Sequence, residues 1–290
     1  LKYVGNGKDK KPMKDEKAVI DYYHTKESRW GYSLVLRGTK HFGFYPQNKK
    51  KISMARALDN MSDKLGKTIG LKAGSTVLDA GCGQGSTAAK LAQKFGYRVE
   101  GIDLLDFNIE HAKKRRTTED LKERLNFRVG SYNNLPFKDN YFDAVYTMET
   151  LVHSPDYKKT LRELRRVLKP GGTLVMFEYS MPAQGDMPEK ERKVFEIINK
   201  GSAMHSYPHF IHGQFPKILL PLGFKNTEVE DITVRMMPML KKFWQLGILP
   251  YQLIKLFGLQ LQFVNTTAGV ELYRYRNDFR YNIIKAINEK

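Results

Sequence analysis

The stretch VLDAGCGQGSTAAKLAQKFG, residues 77 to 96, constrains the fold more than any other part of the chain. An apolar run ends on Asp79, glycines alternate at Gly81, Gly83 and Gly85, and a run of helix formers closes on Gly96. A buried strand, a bare turn and a helix in that order let a ligand press against backbone N–H groups at a helix N-terminus. A Cβ on the turn would block that approach. The spacing Gly81-x-Gly83-x-Gly85, with Ser86 next, departs from the G-x-G-x-x-G pattern of dinucleotide-binding domains. Asp103 ends the next apolar run, EGIDL, where a carboxylate reaches both hydroxyls of an adenosine ribose.

The alternation continues from Lys72 to Tyr179. RVEGIDL, LNFRVGSY, YFDAVYTME and TLVMFEYS read as strands. DFNIEHAKKRR reads as a helix, and so does TLRELRRVLKPGG, with a Pro-Gly stop. Strands alternating with helical segments predict an α/β fold, a Rossmann-like parallel sheet with helices on both faces. After Ser180 the chain reads as mostly helical, with a strand over 224–234. Over 239–260 apolar residues recur at helical spacing interrupted by Gly247 and Pro250, which predicts a broken helical lid. The chain therefore divides into an N-terminal helical and aromatic cap (1–70), a cofactor-binding core (71–235), and a helical lid with a final strand (236–290).

Three further features sharpen this pattern. GSYNNLPFKDNYFDAVYT places Ser131 and Tyr132 after the third strand, METLVHS forms an acidic, His-containing loop after the fourth, and LRELRRVLKPGGTLVMFE supplies a helix, a glycine turn and the fifth strand. In this order, from about 72 to 180, the chain resembles the class I S-adenosylmethionine-dependent methyltransferases. The resemblance implies S-adenosylmethionine as cofactor. It places Asp79, Gly81, Gly83 and Gly85 at the amino-acid end, Asp103 at the ribose, Ser131 and Tyr132 near the adenine, and Leu104 or Leu105 against the base.

The flanks resemble the sterol C-methyltransferase group. ESRWGYSLVLRGTKHFGFYP carries Trp30-Gly31 and His41-Phe42, as that group carries a Tyr/Trp-Gly core followed by His-Phe. Met148-Glu149-Thr150-Leu151-Val152-His153-Ser154-Pro155 stands where the group has Ile-Glu-Ala-Thr-Cys-His-Ala-Pro, and Phe177-Glu178-Tyr179 where it has Tyr-Glu-Trp. The departures are an inserted RGTK, Thr-Leu-Val for Ala-Thr-Cys, and a dissimilar chain end, ELYRYRNDFRYNIIKAINEK. The implied acceptor is an apolar small molecule, a sterol, terpenoid or related lipid, methylated at carbon. O- or N-methylation of a natural product is the alternative.

Attack by an alkene carbon leaves positive charge, which calls for aromatic faces and a base to remove a proton. Tyr23, Trp30, Tyr32, Phe42 and Tyr45 offer such faces, with Glu178 as a further substrate-side candidate. Glu149 and His153, four apart, are the candidate acid–base pair, and the aromatic segment is expected to close over them. His205, His209 and His212 lack a regular element around Pro208 and the sole cysteine, Cys82, lies in the glycine turn, so no metal is expected.

Lys and Arg number 49 against 31 Asp and Glu, a formal charge of +18, which favours anionic partners. The charge is dispersed, METLVHS is not the Asn/Asp-Pro-Pro-Tyr loop used on base amines, and no nucleic-acid module is evident, so nucleic acid is disfavoured. Lys241, Lys242, Trp244 and Lys255 accompany the apolar residues of the lid, which points to peripheral contact with a membrane. A single cysteine suits a reducing compartment, and no run of 18 apolar residues spans a bilayer, so the expected location is cytoplasmic or peripheral to a membrane. The chain opens on Leu1 rather than Met, which leaves room for an N-terminal anchor that was removed. A non-catalytic cofactor-binding protein is disfavoured by the intact turn and Asp103. The sequence does not specify an oligomeric state.

Overall fold

Two short helices, α1 (Lys14–His24) and α2 (Lys26–Trp30), precede a longer one, α3 (Met54–Ile69). The chain then alternates through β1 (Thr76–Ala80), α4 (Ser86–Phe95), β2 (Arg98–Asp103), α5 (Asp106–Lys113), α6 (Glu119–Arg124), β3 (Leu125–Val129), β4 (Phe142–Met148), α7 (Tyr157–Val167) and β5 (Leu168–Ser180). It continues with α8 (Glu189–Gly201), α9 (Phe215–Leu219), β6 (Phe224–Asp231), α10 (Thr233–Leu256), α11 (Val264–Arg274) and β7 (Arg280–Asn288). This computed structural model describes residues 14–30, 36, 39–47 and 51–289, without the side chains of Lys14, Asp15 and Trp30.

The strands form one seven-stranded sheet in the order β3-β2-β1-β4-β5-β7-β6. Strands β1 to β5 are parallel, and β7 runs antiparallel to both of its neighbours. The final strand is thus part of the main sheet, inserted between β5 and β6. Its apolar run, with Ile283 and Ile284 buried on opposite faces, suits a strand covered on both sides. The strand order reverses at β1, whose neighbours are β2 and β4, and ligands of open α/β sheets collect at the carboxyl ends of such a switch point.

Alternate strand residues feed two cores. Val77, Val99, Tyr146, Val175 and Phe177 face α3, α4, α5 and the start of α10, whereas Leu78, Ile102, Val145, Leu174 and Met176 face α7, α8 and α9. Helix α7 shows how the sequence sets this. Asp156 caps it through Lys159 N–H (3.0 Å), Leu161, Leu164 and Val167 are buried, and Lys158 and Arg162 face water. Truncating a fully enclosed leucine such as Leu164 to alanine costs about 2–5 kcal/mol.

Two elements differ from the sequence expectation. Lys169–Gly172 does not separate helix from strand. It belongs to β5 as a bulge: Leu168 pairs with Phe142 and Thr173 with Ala144, and Gly171 has φ +71°. Helix α10 runs unbroken through Gly247 and Pro250. Gly247 faces α11 so closely that a Cβ would stand 3.0 Å from Val270 Cγ2, so the glycine serves helix–helix contact rather than a break.

Candidate active site

The glycine turn folds as its spacing demands, but its three glycines do different work. Gly81, at φ +93°, has no room for a Cβ, which would fall 2.6 Å from Thr150 Cγ2. Gly85, at φ +71°, begins α4, and a Cβ there would lie 2.9 Å from both Ala112 Cβ and Phe127 Cζ. Gly83, at φ +50°, instead faces open space, with only Lys40 Cδ near, at 3.9 Å. It leaves bare backbone beside a cavity of about 80 Å³ lined by Asp79, Gly81, Gly83, Asp103, Leu104, Tyr132 and Glu149.

Asp103 closes the floor of that cavity. Its Oδ2 accepts from Gly83 N–H (2.9 Å), and its Oδ1 accepts from Leu105 N–H (3.0 Å) and Asn108 Nδ2 (2.9 Å). A carboxylate offers about four acceptor positions, so capacity remains for ribose hydroxyls. Asp79 is buried beside the Tyr146 hydroxyl, and burial pushes its carboxyl up to about 7 against the opposing pull of Tyr146. A buried carboxyl on the cavity wall, an open glycine and Asp103 together fit an adenosine-type cofactor with a cationic amino-acid end. Tyr132 lines the cavity and donates to Thr150 O (3.0 Å). Ser131 does not line it; its Oγ donates to Glu16 Oε1 of α1 (2.7 Å).

A second cavity, of about 340 Å³, adjoins the first; Tyr23, Lys40, His41, Glu149 and His153 line both. Its remaining wall is mainly apolar, including Phe42, Val152, Tyr179, Tyr207, Met239, Leu240 and Phe243. Glu149 has φ +57°, a left-handed backbone costly for a side chain of this kind and of a sort that clusters at functional sites. Its Oε1 accepts from Phe42 N–H (2.7 Å) and the Tyr281 hydroxyl (2.7 Å), and the Tyr179 hydroxyl meets Oε2. Burial pushes the carboxyl up to about 8, against the opposing pull of the Tyr281 and Phe42 donors. Phe42 packs edge-on against Tyr179 of β5 and Tyr281 of β7, with centroids 6.2 and 6.0 Å away, and its N–H bond to Glu149 places Phe42 at the loop after β4.

His153 sits on a 3-10 turn, Leu151–His153. Its Nδ1 lies 3.2 Å from the Ala203 carbonyl, which only accepts, so Nδ1 carries the proton. Burial pulls the ring down to about 4. The ring is therefore neutral, and Nε2 accepts from the Tyr23 hydroxyl at 3.1 Å. Both nitrogens are engaged, which makes His153 an anchor for Tyr23 rather than an open base. Glu178 is not on the wall. It is buried beneath the loop, where its Oε1 accepts from Leu151 N–H (2.9 Å), Thr150 N–H (3.3 Å) and Thr147 Oγ1 (3.1 Å). Tyr45 lines neither cavity; it is buried behind the wall, in the cluster of Leu36, Leu58 and Met239. Tyr32 and the Trp30 side chain lie outside the described residues.

Several wall residues went unnoticed in the sequence. Lys40 stands where the two cavities join, its Nζ 4.0 Å from the centre of the Tyr23 ring and 3.3 Å from Asn108 Oδ1, and burial lowers it to about 8. His41 donates from Nδ1 to Phe42 O (2.9 Å) and meets Thr87 Oγ1 at 3.3 Å. Lys40 ends the inserted RGTK and His41 opens the His-Phe pair matched to the sterol group, the two signals that marked them. The roof joins the two ends of the chain: Glu27 accepts from Asn265 N–H (3.0 Å) and Thr266 N–H (2.8 Å) at the start of α11, and the Tyr22 hydroxyl donates to Asn265 Oδ1 (2.7 Å). Of the three downstream histidines, none lines either cavity; His212 Nδ1 meets Ser180 Oγ at 2.8 Å and His209 lies against Tyr157. Among the described residues no group of three or more His, Cys, Asp or Glu is placed to hold a metal ion.

A methyltransferase domain family matches residues 78–176. The chain is 31% identical over 275 residues to an S-adenosyl-L-methionine-dependent Diels-Alderase of Talaromyces variabilis, covering 93% of this chain and 94% of that one. It is 33% identical over 181 residues to a sterol 24-C-methyltransferase of Gibberella zeae, 62% of this chain but 47% of the relative. The crystal structure of the (4+2)-cyclase SpnF shares the fold at a TM-score of 0.69 and 23% identity, over 91% of this chain and 95% of that one. The switch-point cavity, its glycine turn and Asp103, and similarity along nearly the whole chain lead to one conclusion: the protein belongs to the class I S-adenosylmethionine-dependent methyltransferase family, with S-adenosylmethionine as its cofactor.

Proposed function

We propose that the protein methylates an apolar small molecule, a terpenoid, sterol or related lipid, at carbon. One observation carries this reading: the cofactor cavity opens into a larger apolar cavity, and a buried carboxyl with raised pKa, Glu149, lies on the wall the two share. When bound, the cofactor supplies an electrophilic methyl group. The chain's part is to hold the acceptor dry and oriented, which accounts for much of such a rate enhancement. The faces of Tyr23, Phe42, Tyr179 and Phe243 on the wall stabilise positive charge developing on the acceptor. Ionised Glu149 then takes the proton: a C–H bond beside the cationic carbon breaks, its electron pair restores the alkene, and the proton passes to the carboxylate. A base with pKa near the working pH suits this step. Asp103, Asp79 and the Gly83 backbone hold the cofactor.

A second reading is favoured by the near full-length similarity to the Diels-Alderase: cyclisation of an apolar polyene with the cofactor kept intact. One assay separates the two. The protein is incubated with S-adenosylmethionine and fungal or bacterial lipid extracts, and products are followed by mass spectrometry. Formation of S-adenosylhomocysteine with a product heavier by one methylene supports methylation. An isomeric product without S-adenosylhomocysteine refutes it in favour of cyclisation.

A further inference from the structure

Helix α10 has two apolar faces. One lines the large cavity through Met239, Leu240, Phe243 and Gly247. The other is turned outward: Leu246, Leu249, Leu253 and Leu256 follow at i, i+3, i+7 and i+10 and are 68, 79, 61 and 74% exposed. Phe257, 68% exposed, extends this ridge beyond the helix. Apolar side chains so exposed and so aligned mark a contact surface rather than ordinary scatter.

Two further observations identify the partner. From Ile232 to Val270 the sequence has no Asp or Glu but carries Arg235, Lys241, Lys242 and Lys255, and the three lysines are exposed. An apolar ridge bordered by unopposed cations matches a surface that is apolar within and anionic at its rim. The ridge is also continuous with the cavity, because Leu246 and Pro250 both line the cavity and are exposed.

We propose that the outward face of α10 docks on an anionic lipid membrane and sets the mouth of the acceptor cavity against the bilayer. An apolar acceptor then passes from lipid past Leu246 and Pro250 without crossing water. No helix among the described residues is long and apolar enough to cross a membrane, so the contact is peripheral. The proposal depends on the apolar-acceptor reading only for its purpose, and docking is measured without turnover, so the two fail separately.

The test is co-sedimentation with phosphatidylcholine vesicles with and without phosphatidylserine, at low and high salt. The full chain binds the anionic vesicles, and salt weakens binding because exposed charges are screened over about 8 Å at physiological ionic strength. L249Q/L253Q and, separately, K241E/K242E each reduce that binding by about tenfold or more. Circular dichroism confirms that both variants fold. Equal and negligible binding to both vesicles overturns the proposal. So does light scattering that shows a dimer dissociated by L249Q/L253Q, since a second copy of the chain then covers the ridge.

Discussion

Replacing Glu149 with glutamine separates chemistry from structure at the shared wall. Burial holds this carboxyl at about 8 against an ordinary value of 4.5, so near pH 7 the native protein carries it mostly protonated. Glutamine then substitutes a neutral amide for a neutral acid. Its oxygen still accepts from Phe42 N–H and the Tyr281 hydroxyl, and the Tyr179 hydroxyl, which donates to Oε2 in the native site, turns to accept from the amide. Among the neutral forms, compared below pH 4.5, the stability cost is accordingly small, about 1 kcal/mol or less. Turnover loses its proton acceptor and falls by about 10²- to 10⁴-fold, with cofactor affinity unchanged. The sign of the pH effect follows from the raised pKa. The stabilising contribution of the acid is complete below 4.5 and is lost as pH rises through about 8. At about 1.4 kcal/mol per unit, that loss accumulates between about pH 4.5 and 8, as the unfolded chain ionises while the native carboxyl stays protonated, so several kcal/mol are gone by pH 8, and E149Q escapes that loss. The variant therefore melts higher than wild type from neutral pH upward, while wild-type turnover rises through about pH 8 and the variant's does not. Steady-state kinetics with labelled cofactor, calorimetric titration and scanning calorimetry across this range measure all three. Normal turnover in E149Q, with cofactor affinity intact, would refute the base assignment.

Asp103→Ala removes the acceptor for Gly83 N–H, Leu105 N–H and Asn108, and calorimetry will show S-adenosylmethionine binding weakened by about 1–3 kcal/mol; unchanged affinity would count against the ribose assignment. Gly85→Ala, strained at φ +71° and pressed on Ala112 and Phe127, lowers stability by about 1–3 kcal/mol in denaturant titration, whereas Gly83→Ala costs less stability and instead weakens cofactor binding. Ring resonances in NMR titration will show His153 neutral at pH 6, with the proton on Nδ1; an imidazolium at that pH would overturn the Tyr23–His153 assignment.

What the sequence made legible was local. The glycine turn, the alternation of strands and helices and Asp103 all lie within one β-α-β unit, where short-range geometry decides both pattern and structure. Glu149 and His153 were found through a loop motif, but the direction of their perturbation was not, because it comes from burial by distant elements. Tyr281, which holds Glu149, is 132 positions away on an antiparallel strand inside the sheet, and nothing local marks it as a partner. The clasp of Glu27 on Thr266 spans 239 positions, so neither terminus alone shows that it builds the roof. Glu178 looked like a substrate residue from its motif. Its local sequence is equally compatible with supporting a loop from below, and only the side of β5 that it occupies distinguishes the two. Gly247 and Pro250 read as breaks in α10 because propensity takes no account of the α11 contact that holds the helix together.

The shared wall also explains why the chain combines a regular sheet with an irregular aromatic segment. On the proposed reading, a methyl donor and an apolar acceptor require opposite surroundings: the first needs carboxylates and bare backbone, the second a dry aromatic enclosure. The sheet supplies the polar half at the switch point, with Asp79 one residue short of the end of β1 and Asp103 at the end of β2. It has no apolar concavity of its own, so the second half is assembled from α10, α11 and the segment around Phe42. Thr39, Lys40 and His41 bridge the halves, because all three line the cofactor cavity and the last two also line the acceptor cavity. The Phe42 N–H bond to Glu149 ties this bridge to the loop after β4. A ligand in the small cavity must therefore touch the residues that form the wall of the large one.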